Sequence, residues 1–181
     1  MQNHKISLNN LPLEGREYIV DSTSVWLTPL REFRMDCQIE EPLHARILVL
    51  PVENGWLVRG TLKGRVIVPC SRCAEDTVIS IDTHFENFES LNEQSDDETQ
   101  PSHDMDDGCV VMEGTTPLLD LAAICWQEFV LALPATPLCR RDCKGLCARC
   151  GANLNAGPCA CKNDEGDPRM APLRGLILHN N

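Results

Sequence analysis

Arg65-Val66-Ile67-Val68-Pro69-Cys70-Ser71-Arg72-Cys73 runs into Thr77-Val78-Ile79-Ser80-Ile81-Asp82, and this stretch decides the fold. An apolar β-branched run reaches a proline, a close cysteine pair follows, and an alternating run resumes, which reads as strand, knuckle, strand. A redox Cys-x-x-Cys would instead sit at a helix N-terminus, whose dipole lowers the pKa of the first thiol. Nothing in these flanks suggests a helix, so the pair reads as two metal ligands.

Further apolar runs lie upstream. His44-Ala45-Arg46-Ile47-Leu48-Val49-Leu50 ends at Pro51, and Gly55-Trp56-Leu57-Val58-Arg59-Gly60-Thr61-Leu62 follows a Glu53-Asn54-Gly55 turn. With Thr77 to Phe88 they make an antiparallel β-meander, expected to curl toward a small barrel or sandwich. Only 4% of the 181 residues are aromatic, so aliphatic strands must carry most of the burial. Tyr18-Ile19-Val20 and Val25-Trp26-Leu27 read as short strands, and Pro29 to Phe33 as a turn or short helix.

From Glu89 to Asp107 the composition shifts: eight acids stand without one Lys or Arg, and residues 89–108 are expected to form an acidic loop. Cys109 to Glu113 reads as a strand. A helix over about 117–133 is expected next, with Thr116 as N-cap and Pro117 at the first helical position. Leu118, Leu121, Cys125, Phe129 and Ala132 would share the face that covers the sheet. Pro134 ends it. The organisation expected is therefore α+β: a β-rich domain over 1–134, a cysteine-rich tail over 135–165 and a short C-terminal segment over 166–181.

The tail reads Cys139-x3-Cys143-x3-Cys147-x2-Cys150-x8-Cys159-x-Cys161, six of the chain's eleven cysteines. With Cys70 and Cys73 these are eight thiols, enough for two tetrahedral four-thiolate sites. If Cys147, Cys150, Cys159 and Cys161 form one, Cys139 and Cys143 join Cys70 and Cys73, and the second ion clamps the tail to the meander. Cys139 and Cys143 could pair with Cys159 and Cys161 instead, since spacing does not fix ligand pairing. A disulfide framework is the competing explanation. The first residues, MQNHKISLNN, do not resemble a signal peptide, so the thiols are expected to be reduced in a cytoplasm, where close cysteines are metal ligands. No apolar run approaches a membrane span. Thiolate clusters also suit iron–sulfur centres, but knuckle spacing favours two Zn²⁺. Cys37, Cys109 and Cys125 have no close partners and read as buried or incidental thiols.

The Cys70-Ser71-Arg72-Cys73 pair after a meander, the acidic loop and the Leu-rich helix ending Leu131-Ala132-Leu133-Pro134 form an ordered series. Pro137-Leu138-Cys139-Arg140-Arg141-Asp142-Cys143-Lys144-Gly145-Leu146-Cys147-Ala148-Arg149-Cys150-Gly151-Ala152-Asn153-Leu154-Asn155 and Asp167-Pro168-Arg169 complete it. Over about the last two-thirds of the chain this series resembles the bacterial YceD family, which is linked to accumulation of large-subunit ribosomal RNA. The resemblance implies a cytoplasmic, non-enzymatic factor in ribosome biogenesis. Its partner would be ribosomal RNA or a large-subunit assembly intermediate, met directly or through a ribosomal protein.

Charge bears on that implication independently. Residues 139–181 carry a balance of +3, leaving −14 on the rest of a chain whose net charge is −11. Arg140, Arg141, Lys144 and Arg149 are therefore candidate RNA or partner contacts. Two Zn²⁺ with eight thiolates sum to −4, however, and neutralising the clusters is the alternative role for the same side chains. A pI near 4.8 argues against broad RNA binding over the whole surface. A zinc-stabilised protein–protein interaction module without RNA contact is the alternative. An enzyme is not expected: G-x4-G-K-[ST], H-E-x-x-H and G-x-S-x-G are absent, His4, His44, His84, His103 and His179 are scattered, and all-thiolate zinc sites are usually closed.

Overall fold

The computed structural model describes residues 4–90 and 108–161. Three long strands dominate it: β3 (Gln38–Val52), β4 (Gly55–Pro69) and β5 (Asp76–Glu89). Together with β2 (Arg16–Val20) they form one antiparallel sheet in the order β2-β3-β4-β5. A second, three-stranded sheet has the order β1-β7-β6, from β1 (Lys5–Ser7), β6 (Val110–Glu113) and β7 (Thr116–Asp120). The helices are α1 (Ser24–Glu32) and α2 (Leu121–Ala132).

The strand alternation read from sequence builds the core. Ala45, Ile47 and Val49 of β3, Val58, Leu62 and Val66 of β4, and Ile81 and Phe85 of β5 point to one buried face. Within the β4 series the same face carries Gly60 and Gly64, and each makes room for a neighbour. A methyl group at Gly60 would lie 2.2 Å from the Phe85 ring, and one at Gly64 would lie 2.7 Å from Leu43. Large side chains on flanking strands thus fill the gaps left by glycine, which keeps packing dense with few aromatics.

Leu121, Ile124, Cys125, Glu128 and Phe129 are the buried residues of α2, spaced as one helical stripe. The helix packs against β1 of the small sheet and β2, β4 and β5 of the large one. Four of the chain's eight aromatic rings meet where the two helices touch. Trp26 lies 5.9 Å from Phe129, Phe129 lies 5.5 Å from Trp126, and Trp126 stacks on Phe33 at 5.7 Å.

Three sequence expectations are corrected here. Val25-Trp26-Leu27 is helical, in α1, where Val25, Trp26 and Leu30 turn inward despite their strand propensity. The second helix starts at Leu121, not 117: Thr116 to Asp120 form β7, with Pro117 and Leu119 buried in alternation. Thr116 is therefore not the N-cap. Asp120 is, its Oδ1 accepting from the amides of Ala122 at 3.0 Å and Ala123 at 3.1 Å. Glu89, assigned by charge to the acidic loop, is the buried last residue of β5. The rest of that loop from residue 91 to 107, and the C-terminal segment 166–181, lie outside the described residues.

The revised cap can be checked by urea unfolding. Asp120→Ala should cost about 1 kcal/mol by orphaning two helix amides. Thr116→Ala should cost no more than a few tenths of a kcal/mol.

Candidate metal centres

Cys70 to Glu75 is itself the connection between β4 and β5, with Pro69 opposite Asp76 in the register. The chain turns through a tight knuckle: the Ala74 amide donates to the Cys70 carbonyl at 2.9 Å, and the Cys70 amide donates to the Glu75 carbonyl at 2.8 Å. Seventy-seven residues later the same hydrogen bonds recur. The Gly151 amide donates to Cys147 at 2.9 Å, and Cys147 donates to Ala152 at 2.8 Å. Both knuckles need a left-handed residue directly after the second cysteine, which Gly151 supplies at φ +70° and Ala74 at φ +58°.

The eight cysteines singled out by spacing gather in two groups. Cys70, Cys73, Cys139 and Cys143 form one and Cys147, Cys150, Cys159 and Cys161 the other, with the sulfurs of each set within 4.8 Å of one another. In the first group Cys70 Sγ lies 3.8 Å from Cys143 Sγ, and Cys73 Sγ lies 3.6 Å from Cys139 Sγ. A tetrahedral ion with bonds of about 2.3 Å sets its sulfurs about 3.8 Å apart. A disulfide would need about 2.05 Å, and a multi-iron cluster spreads its cysteines over separate irons. The thiols are free cysteines, and each set fits a single four-coordinate ion.

The first centre is enclosed: Cys70, Cys73 and Cys143 are buried against Leu138 and Cys139. The second lies nearer the surface, with Cys150 exposed. Amides surround the sulfurs. Cys70 is brought down to about 6 by the Cys139 amide, against burial and with help from the Arg72 and Cys73 amides. Cys147 is likewise brought down to about 6 by the amides of Cys150 and Arg149. Cys143 is lowered chiefly by Asn155, whose Nδ2 donates to its sulfur at 3.3 Å.

Neighbouring sulfurs move the other way. For Cys73 the Glu75 amide favours the thiolate, but burial and the bonds with Cys70, Cys139 and Cys143 outweigh it and push the thiol up to about 12. Burial raises Cys139, helped by Cys143 and Cys70 and opposed by the bond with Cys73. Cys161 is pushed up to about 12 by its bond with Cys150 and by burial. Four anionic sulfurs this close require a cation between them, so loading each centre must displace protons.

Four residues absent from the sequence prediction, Arg72, Gly145, Asn153 and Asn155, tie the first centre together. Arg72, between the two knuckle cysteines, donates from Nη1 to the Cys143 carbonyl at 2.8 Å, and its own carbonyl accepts from Leu146 at 3.1 Å. Gly145, at φ +73°, lets the tail approach so closely that a Cβ there would sit 3.0 Å from the Arg72 oxygen. Asn155 adds a second link, accepting from the Lys144 amide at 2.8 Å while it donates to Cys143. Asn153 reaches back to Glu75 at 2.7 Å. Their signal was present in the quoted string as a glycine and asparagines in a short loop between ligand pairs, residue types that supply left-handed turns and local caps.

Lys144 and Arg149 join that framework through their backbone amides, while the charged side chains of the candidate contact residues lie at the surface. Arg140 pairs with Asp142 at 3.6 Å on the surface, and Arg141, Lys144 and Arg149 have exposed side chains. Among the three remaining cysteines, Cys109 and Cys125 are buried and pushed up to about 12 by burial, with nearby carboxylates adding to it, so both are unreactive. Cys37 is half-buried and raised by the same cause. Among the described residues no helix is long and apolar enough to cross a membrane.

A mixed α+β protein whose sheet carries a cysteine knuckle completed by a second knuckle-bearing tail is the class these features define. Within it, residues 58–177 match the family described as "Large ribosomal RNA subunit accumulation protein YceD", and the chain belongs to that family. An uncharacterised protein of Mycobacterium tuberculosis is 31% identical over 126 residues, covering 70% of this chain and 58% of the relative. One from Mycobacterium leprae is 28% identical over 140 residues, covering 75% and 59%. The chloroplastic "Large ribosomal RNA subunit accumulation protein YCED homolog 1" of Arabidopsis thaliana is 44% identical over 46 residues, 25% of this chain and 14% of that protein. The chain thus spans less than two thirds of the length of these relatives. No solved structure matches.

Two measurements bear on the centres. In protein saturated with Zn²⁺, elemental analysis should find about one fewer bound ion per chain in Cys73→Ser than in the unsubstituted chain, because the second set draws its four cysteines from the tail alone. Ala74→Gly should raise the midpoint of thermal unfolding, since it relieves a left-handed alanine costing on the order of 1 kcal/mol.

Proposed function

We propose that this chain is a non-enzymatic, cytoplasmic factor that supports large-subunit ribosomal RNA accumulation and ribosome biogenesis. The family match over residues 58–177 is the observation that carries this reading, because it takes in the knuckle hairpin, α2 and both four-cysteine sets. Two relatives with "large ribosomal RNA subunit accumulation" in their names, from Arabidopsis thaliana and Zea mays, support it.

Zn²⁺ bound at each centre would supply the positive charge that lets four thiolates share one small volume. In the first centre Cys70 and Cys73 come from the hairpin tip, and Cys139 and Cys143 from the segment after α2. That arrangement fixes the tail's Arg140, Arg141, Lys144 and Arg149 relative to the sheet. In this reading the meander curls as a small barrel or sandwich with α2 as its cover.

A second reading is favoured by the charge balance: the loaded clusters sum to −4, which these cations and Arg72 offset rather than present to RNA. The chain would then be a zinc-stabilised protein–protein interaction module that reaches an assembly intermediate through a ribosomal protein.

Sucrose-gradient profiles and RNA quantification test the ribosomal role. Cells carrying Cys73→Ser should show depleted mature large-subunit RNA with the small subunit nearly normal, while the purified variant keeps its sheet by circular dichroism. Normal profiles after complete loss of the gene product would end the ribosomal reading. Arg149→Ala distinguishes the two binding modes: it should lower RNA crosslinking at the tail only if RNA is met there, since replacing an exposed surface residue usually changes stability by no more than about 0.5 kcal/mol.

A further inference from the structure

β5 is the long edge of the large sheet. Its 14 residues pair with β4 along their whole length, and no other described strand lies beyond them. Alternate residues of such a strand turn amide and carbonyl groups outward, here along about 45 Å. Proteins commonly guard edges of this kind with proline, lysine or a bulge. β5 contains no proline and no lysine, and its register with β4 is unbroken.

A groove of about 830 Å³ runs beside the end of this edge. Glu86, Asn87, Phe88 and Glu89 all line it, although Glu86 and Phe88 point to one face of the sheet and Asn87 and Glu89 to the other. A cavity touching both faces of one strand must lie along its edge. The opposite wall is α2, contributing Trp126, Val130 and Leu131. Phe88 is 58% and Leu131 77% exposed, so two large apolar side chains flank backbone that no described strand pairs.

The charge of the lining selects the occupant. Glu86, Glu89 and Glu128 contribute three carboxylates, and among the described residues no Lys or Arg lines the groove. Glu89 and Glu128 are each only 8% exposed, held by the Cys109 amide at 3.2 Å and Asn87 at 2.9 Å. Burial raises Glu89 above the usual carboxylate range, so a cation brought against it would be favoured. A second copy is disfavoured, since β5 bears Asp76, Asp82, Glu86 and Glu89 without one Lys or Arg, and antiparallel self-pairing would set acid near acid. A nucleic-acid backbone is repelled for the same reason.

We propose that the outer edge of β5 and the groove beside α2 capture an extended, basic segment of a partner protein as an added strand. Main-chain hydrogen bonds would supply affinity, Phe88, Trp126 and Leu131 would receive alternate apolar side chains, and the carboxylates would receive intervening Lys or Arg. This site is separate from both metal centres and does not depend on the ribosomal role.

Hydrogen–deuterium exchange on the zinc-loaded full chain tests the proposal, with a ten-residue alternating Lys-Val peptide as probe. Slowed exchange across Thr83–Phe88 is expected with this peptide, and none with an alternating Glu-Val peptide or ten-nucleotide oligouridylate. Phe88→Lys combined with Leu131→Lys should weaken the peptide at least about tenfold, with circular dichroism unchanged because both side chains are exposed. Glu89→Gln should also weaken it while leaving the thermal midpoint equal or higher. No protection by the Lys-Val peptide, equal protection by either control, or unaltered binding by the lysine pair would overturn the proposal. Protection of the outward-facing amides without peptide, beyond that of the amides already bonded to β4, would overturn it too, signifying a second copy if it rises with protein concentration and the chain's own covering segment if it does not.

Discussion

The mutual repulsion of four sulfurs drawn from opposite parts of the chain is the constraint on which the rest depends. Cys70 and Cys143 are 73 residues apart in sequence, and Cys73 and Cys139 are 66 apart, yet their sulfurs lie within 4 Å. Without a cation that contact is unfavourable for thiolates, and with one it becomes the join between sheet and tail. The surrounding polar links serve the join: the Arg72 bond to the Cys143 carbonyl, the Ser71 amide to the Pro137 carbonyl at 2.8 Å, and Asn153 to Glu75. None of these would be kept in register by hydrophobic burial, because the tail contributes almost nothing to the main core.

The two centres therefore differ in kind although their ligands are identical. The second closes a loop of 15 residues, Cys147 to Cys161, within the tail, at small entropic cost. The first can close only when β4, β5 and α2 have placed its two halves together, so it reports on the whole fold. Burial follows the same division, enclosed for the first and partly open for the second. Exchange with solvent ions and oxidants should begin at the outer one.

Legibility from sequence tracked how local each signal was. β4, the knuckle and β5 could be read because alternation, proline and paired cysteines all lie within one short span. The grouping of Cys139 and Cys143 with Cys70 and Cys73 was one of two pairings that spacing allowed, and contacts across the fold select it. Thr116-Pro117 has good helix-start chemistry, but those residues pair with Glu113 and Met112 in β6, and β1, which flanks them on the other side, gave no strong strand pattern in its three residues. Val25-Trp26-Leu27 carries strand propensity, yet helix packing against Phe129 prevails. The edge groove was illegible because it joins two faces of one strand to a helix some forty residues away.

The aromatic cluster at the α1–α2 junction decides what light can reveal about this molecule. All three tryptophans, the tyrosine and the four phenylalanines lie at or before Phe129, so no chromophoric ring follows α2. Intrinsic fluorescence and near-ultraviolet dichroism will therefore follow the sheet and helices while remaining blind to the knuckle-bearing tail. A melting curve recorded that way would look two-state even if the tail had already detached, and only a probe of the metal–thiolate bonds would record the earlier event.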